Sequence, residues 1–164
     1  MTVVLLGSAT AAHSRNVAYD IVLLAHVLAA LIGFGAVGVA GANALALGRS
    51  GPRAESVRRY YRPGVNWGGR ILFLVPVFGV ALVLMSRGDW SFSDGWVTVG
   101  IALWAVVAVV AEMVLWPAER RLQEAVAEDR PVTSLRTECA LVAALSASFV
   151  VVLVVATVVM VAKP

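Results

Sequence analysis

Cysteine is nearly missing: Cys139 is the only one in 164 residues. A lone thiol excludes an intrachain disulfide and a CxxC-type zinc or redox site. Charge is also scarce. Asp, Glu, Lys and Arg make up 14% of the chain, against about 25% in soluble domains. Histidine occurs only as His13 and His26. No complete catalytic motif is present. No stretch interleaves basic residues with aromatics on a soluble face, which argues against nucleic acid as a partner. No internal repeat of the transporter kind stands out.

Apolar residues fill the space. They form 60% of the chain, the mean hydropathy is +0.88, and they cluster in long runs. Such runs identify a multispanning membrane protein. A bilayer core of about 30 Å needs roughly 20 apolar residues as helix. Four segments meet that length, at about 18–47, 67–86, 95–116 and 139–162. The valine-rich "FVVVLVVATVVMV" suits a strand by propensity, but a lone strand leaves its backbone unpaired in lipid, so helix is expected. The third helix should continue through about 117–129, where "AERRLQEAVAED" holds good helix formers, until Pro131 stops it. The fold expected is all-α: a four-helix transmembrane bundle in a single domain over residues 1–164.

Arginine sets the orientation. Arg49, Arg53, Arg58, Arg59, Arg62 and Arg70 fall in the first connection, and Arg120, Arg121, Arg130 and Arg136 in the third. These are ten of the thirteen basic residues. Both connections are therefore expected inside the cell, with an up-down-up-down course and both termini outside. Trp90 and Trp96 suit the outer boundary, and Trp67 and Trp116 the inner one. The opening "MTVVLLGSATAAHSR" mimics a signal peptide without its basic start and reads as a retained tail. The short connection "RGDWSFSD" makes the second and third spans neighbours.

The first span is rich in small residues. Ala29 and Gly33, the row Ala36, Ala40 and Ala44, and the stripe Gly35, Gly38 and Gly41 all permit close helix approach in lipid. Packing within the chain is the plain role. A docking face for another copy, another subunit or a flat cofactor is the sharper one.

Two ionisable groups lie inside spans, where they are costly and mark sites. His26 sits about 9–12 Å from the outer end of the first span. A neutral imidazole is tolerable there if a neighbouring helix offers a partner, with Ser146, Ser148 and Thr157 as candidates. Alternatively His26 is a ligand, with His13, Met85 and Met160 on the same side. Imidazole and thioether suit the iron of haem b or cuprous copper. The second and third spans hold no histidine, so a bis-histidine haem within the bundle is unavailable. Glu112 lies about 6–8 Å above the inner edge of the third span. Arg70 begins the second span on that side, and the pair would pin two helices together. The alternative is a proton-carrying Glu112. Pro76 should free a carbonyl near Leu72. Asp20 and Arg87 could pair at the outer rim. Arg58, Arg59 and Arg62, with Tyr60 and Tyr61 beside them, suit contact with lipid headgroups.

Three stretches, "LAHVLAALIGFGAVG", "GGRILFLVPVFGVALVL" and "EMVLWPAERRLQEA", together resemble an uncharacterised family of bacterial four-helix integral-membrane proteins over residues 18–162. A weaker likeness runs to the membrane domain of copper resistance protein D, which has a histidine in a helix with small residues. The closer resemblance implies a four-helix membrane bundle and no particular activity. The weaker one implies a metal-related role for His26. The expectation is an integral membrane bundle of the inner membrane that serves as an accessory or structural subunit. Its partners would be lipids, other membrane subunits or copies of itself. The alternatives are a haem- or copper-binding redox or transport protein centred on His26, and a small transporter or proton-conducting oligomer using Glu112.

Overall fold

The computed structural model describes residues 17–162. It contains four long helices, and no strand occurs among the described residues. The opening tail, including His13, lies outside the described residues. Helix α1 is Val17–Ser50. A short helix α2, Glu55–Tyr60, lies in the first connection. Helix α3 spans Trp67–Met85, α4 Gly95–Ala127 and α5 Arg136–Ala162. Each long helix is apolar and long enough to cross a membrane. At 1.5 Å per residue, α1 and α4 each reach about 50 Å, well beyond the ~30 Å hydrocarbon core.

The helix ends follow from local chemistry. Gly51, at φ 80°, closes α1 as its N–H reaches the Leu47 carbonyl. Asn66 Oδ1 caps α3 by accepting from the Gly69 N–H at 3.1 Å. Helix α3 tightens to a 3-10 turn over Ile71–Phe73. Pro76 has no N–H to offer the Leu72 carbonyl, and Trp104 Nε1 of α4 donates to that carbonyl at 3.1 Å. Helix α4 widens to a π turn over Ala111–Leu115, where the Trp116 N–H reaches back to the Ala111 carbonyl. The bulge stands directly before Pro117, the residue that interrupts regular bonding. Asp129, at φ 53°, turns the chain out of α4 ahead of Pro131.

Helix α1 is the packing centre and lies against both α3 and α5, while α4 packs on α5. Its buried residues are Ala29, Gly33, Phe34, Val37, Ala40, Gly41, Ala44 and Leu47. These recur at helical spacing as one stripe. Much of the remaining surface of the long helices is large and apolar, as at Leu84, Met113 and Val161. Water would not tolerate so extensive an exposed apolar surface, but lipid does. The end of α4 follows a different rule. Trp116, Ala118, Glu119, Leu122, Ala125 and Val126 are buried, and the charged residues between them face outward. That one-sided pattern is what a helix in water shows, and it sets this end of α4 apart from the apolar part before Trp116.

Trp116 stands where that pattern begins. It is buried, with its ring edge-on to Phe73 at 5.7 Å. Trp67 is 74% exposed at the start of α3. Trp90 and Trp96 meet edge-to-face at 5.3 Å.

Candidate functional site

Polar side chains cluster at two places. The first lies where the start of α1, the end of α3, the start of α4 and the end of α5 converge. A cavity of about 540 Å³ opens there. Its walls include Leu23, Val80, Leu82, Val97 and Ile101, with Tyr19, Trp90, Phe92 and Trp96 among them. His26, Met85 and Met160 all line it. The three residues proposed as ligands thus share one cavity, although they come from three helices.

His26 is held by α3. Its Nδ1 lies 2.9 Å from the Val75 carbonyl oxygen. A carbonyl can only accept, so Nδ1 carries the proton. In a neutral imidazole the other nitrogen, Nε2, then presents a lone pair. Nε2 makes no hydrogen bond among the described residues. Gly79 explains how the ring fits: a Cβ placed there would sit 3.4 Å from His26 Cε1. The imidazole therefore lies along the bare backbone of α3. The serine and threonine partners expected for His26 are used elsewhere. Ser148 Oγ donates to the Ala144 carbonyl and Thr157 Oγ1 to the Leu153 carbonyl, each within α5. Ser146, by contrast, is buried against Gly41, and its hydroxyl has no partner among the described residues. A backbone carbonyl was the partner, and residue-type reasoning does not see carbonyls.

The other polar groups of the cavity differ in availability. Ser86 Oγ donates to the Val83 carbonyl at 2.7 Å and accepts from the Trp90 N–H at 3.1 Å, so its one proton is committed to the turn and one lone pair remains. Arg87 and Asp89 also line the cavity. Arg87 sits in the left-handed region at φ 55°, uncommon for a residue with a side chain. Asp20 and Arg87 form no ion pair among the described residues. No group of three His, Cys, Asp or Glu residues close enough to hold a metal ion occurs among them either. Met160 reaches across to α4, where its methyl would lie 3.3 Å from a Cβ placed on Gly100.

The second cluster joins the first connection to α4. Arg70 Nη1 lies 3.8 Å from Glu112 Oε1, with both side chains partly exposed. The guanidinium also stacks over Trp116 at 4.9 Å. Glu112 stands within the π turn, which rotates it relative to the residues beyond. Seven residues on, Glu119 is only 4% exposed. It accepts from Tyr60 Oη at 2.9 Å and from Asn66 Nδ2 at 3.2 Å. Asn66 thus caps α3 with its oxygen and grips α4 with its nitrogen. Sequence reasoning missed Glu119 because it sits in a charged run. Its helical spacing from Trp116, Leu122 and Val126 was the available signal.

Tyr60 and Tyr61 turn inward rather than toward lipid headgroups. Tyr61 is 1% exposed, and its hydroxyl has no hydrogen-bond partner among the described residues. Burial pushes the Tyr60 phenol above the ordinary tyrosine range, and the nearby Glu119 charge adds to the effect. Burial likewise raises Tyr61. Arg58, Arg59 and Arg62 remain exposed on the same connection.

The small residues of α1 divide by surroundings. A Cβ on Gly33 would meet the Leu72 backbone at 2.8 Å, and one on Gly41 would meet Ser146 Cβ at 2.5 Å. A Cβ on Gly38 would be in ordinary contact with Val150, and one on Gly35 would meet nothing within 4 Å among the described residues. Ala29 is buried, and Ala36 lies against Gly68.

Among protein families, residues 20–164 match the one described as "Predicted integral membrane protein (DUF2269)". No curated protein and no solved structure matches. The weaker likeness to the copper resistance protein D membrane domain is not among these matches.

Proposed function

The chain belongs to this DUF2269 family of integral membrane proteins, and from that premise we propose that it holds a small membrane-soluble molecule in the cavity around His26. The observation that carries the reading is the tautomer of His26. Its Nδ1 is tied to the Val75 carbonyl at 2.9 Å, so Nε2 offers its lone pair in a mostly apolar cavity of ligand size. An intramembrane histidine held in this way is costly without a role.

The orientation proposed is up-down-up-down, with both termini outside the bacterial inner (plasma) membrane. The grouping of ten arginines on two connections supports it. The cavity then lies in the outer half of the bilayer. Arg58, Arg59 and Arg62 face the inner headgroups, and the Arg70–Glu112 pair ties α3 to α4 at the inner edge. The proximity of Arg70 favours a structural Glu112 over a proton carrier. Single-cysteine variants in a Cys139→Ala background test the orientation: an impermeant maleimide added to intact cells should label Ser91→Cys and spare Arg59→Cys. The reverse pattern overturns it.

Native mass spectrometry from mild detergent tests the ligand reading. One copy of a bound small molecule, lost in His26→Leu, is the expected result. A bare chain accompanied by other membrane subunits would instead support an accessory role, and a bare oligomer would support self-association. A second reading has its own support. Backbone-held Nδ1 is the usual arrangement of a metal-ligating histidine, and Met85 and Met160 line the same cavity. Haem b or copper is therefore the alternative occupant, and a Soret band or stoichiometric copper in the purified protein would establish it. The spacing favours the organic ligand. Gly79, beside His26, and Met85 are six residues apart on α3, about 9 Å of rise. A single ion needs its donors close, at about 2.0–2.3 Å for nitrogen and sulfur around zinc.

A further inference from the structure

We infer that the cavity selects a neutral amphiphile with an aromatic ring bearing a hydroxyl, a phenol or hydroquinol on an apolar tail, whose O–H donates to Nε2 of His26. This rests on the reading of the cavity as a ligand site and specifies what that site prefers.

Three observations lead there. The first is the sense of the hydrogen bond. With Nδ1 donating to the Val75 carbonyl, Nε2 can only accept while the imidazole is neutral. A ligand hydroxyl complements it. A ketone, quinone or ether oxygen would set lone pair against lone pair. The second is the wall. Trp90, Trp96 and Phe92 line the cavity with Met85 and Met160. Ring faces and thioethers both suit an aromatic guest, and the aliphatic residues suit a tail. The third is the pair of charges. Arg87 and Asp89 both line the cavity, with opposite signs, which suits a neutral guest over an ion of either sign. Ser86 Oγ spends its one proton within its own turn, so it can only accept from a guest. Like Nε2 of His26, it calls for a donor on the guest.

The test compares 4-dodecylphenol with its methyl ether, each brominated on the chain so that bound ligand quenches nearby tryptophan. The full chain is reconstituted in phosphatidylcholine vesicles. The two probes partition similarly but differ in the donor. The phenol should bind about tenfold more tightly than the ether, the ratio expected from one added hydrogen bond. His26→Phe keeps a ring of similar size and removes the acceptor. It should bind both probes with the affinity the native chain has for the ether. Equal affinities in the native chain would overturn the hydroxyl preference while leaving the cavity as a ligand site. Failure of both probes to quench would overturn the cavity reading as well. A phenol preference that survives in His26→Phe would also overturn the inference, since the donor would then have found another acceptor. The native-chain comparison needs no variant to fold.

Discussion

Replacing Gly33 with alanine and, separately, Gly35 with alanine should move stability in opposite directions. Both glycines lie in the middle of α1, two residues apart. Alanine is favoured over glycine inside a helix by about 1 kcal/mol. At Gly35 no described residue lies within 4 Å of the new methyl, so that gain is nearly the whole effect. At Gly33 the methyl meets the Leu72 amide nitrogen at 2.8 Å and its Cα at 2.9 Å. Both are backbone atoms and cannot rotate away. Their turn is also held by Trp104, which donates to the Leu72 carbonyl. Overpacking of this kind costs roughly 1–3 kcal/mol. Net of the propensity gain, Gly33→Ala should lose about 1 kcal/mol. The two variants should then differ by about 2 kcal/mol, a factor of up to about 30 in the folded-to-unfolded ratio. For a chain of this size that is about 4–8 °C in Tm. Thermal unfolding in mild detergent, read as the monodisperse fraction after heating, measures it. If both variants rise or both fall by the same amount, the close approach of α1 and α3 at Leu72 is not what uses the glycine.

Three further outcomes follow from the second cluster. Glu119→Ala leaves the half-buried Tyr60 hydroxyl and Asn66 amide without their acceptor, at a cost of about 1–2 kcal/mol; Glu119→Gln should recover part of it, and a neutral alanine variant would remove Glu119 as the tie between the first connection and α4. Glu112→Gln should change stability by less than about 1 kcal/mol, because the Arg70 pair is long and partly exposed; loss of folding in that variant would contradict this. Burial raises the Tyr60 and Tyr61 phenols above their unfolded value of about 10. The folded state thus holds these protons more tightly. Their contribution is fully present below pH ~10 and is lost as pH rises through the folded values. Absorbance at 295 nm should show both phenols ionising only with alkaline unfolding, and reversible ionisation in the folded state near the ordinary value would show them to be solvated.

Much of the architecture was legible because lipid imposes simple rules. Apolar runs long enough to cross a bilayer must be helices, so the four spans could be placed to within a few residues. Even the valine-rich α5 yielded to the backbone argument over propensity. Pro76 announced a freed carbonyl at Leu72, since proline lacks the donor whatever surrounds it. The pairing of Arg70 with Glu112 was readable from their shared depth.

What one-dimensional reasoning could not supply was azimuth and backbone proximity. The small-residue stripes of α1 look alike in sequence, yet Gly33 and Gly41 press on neighbours while Gly35 faces open space. That choice depends on how α3 and α5 lie around α1. Trp116 and Tyr61 carry the chemistry of interface anchors, but the end of α4 and the first connection fold them into a small core. Glu119 is buried because Tyr60 and Asn66 arrive from another segment. His26 was visible as costly from sequence, because a titratable ring in an apolar run has few cheap solutions. Its tautomer was decided only when the Val75 carbonyl came within 2.9 Å, and that carbonyl is a backbone group whose position no residue letter encodes.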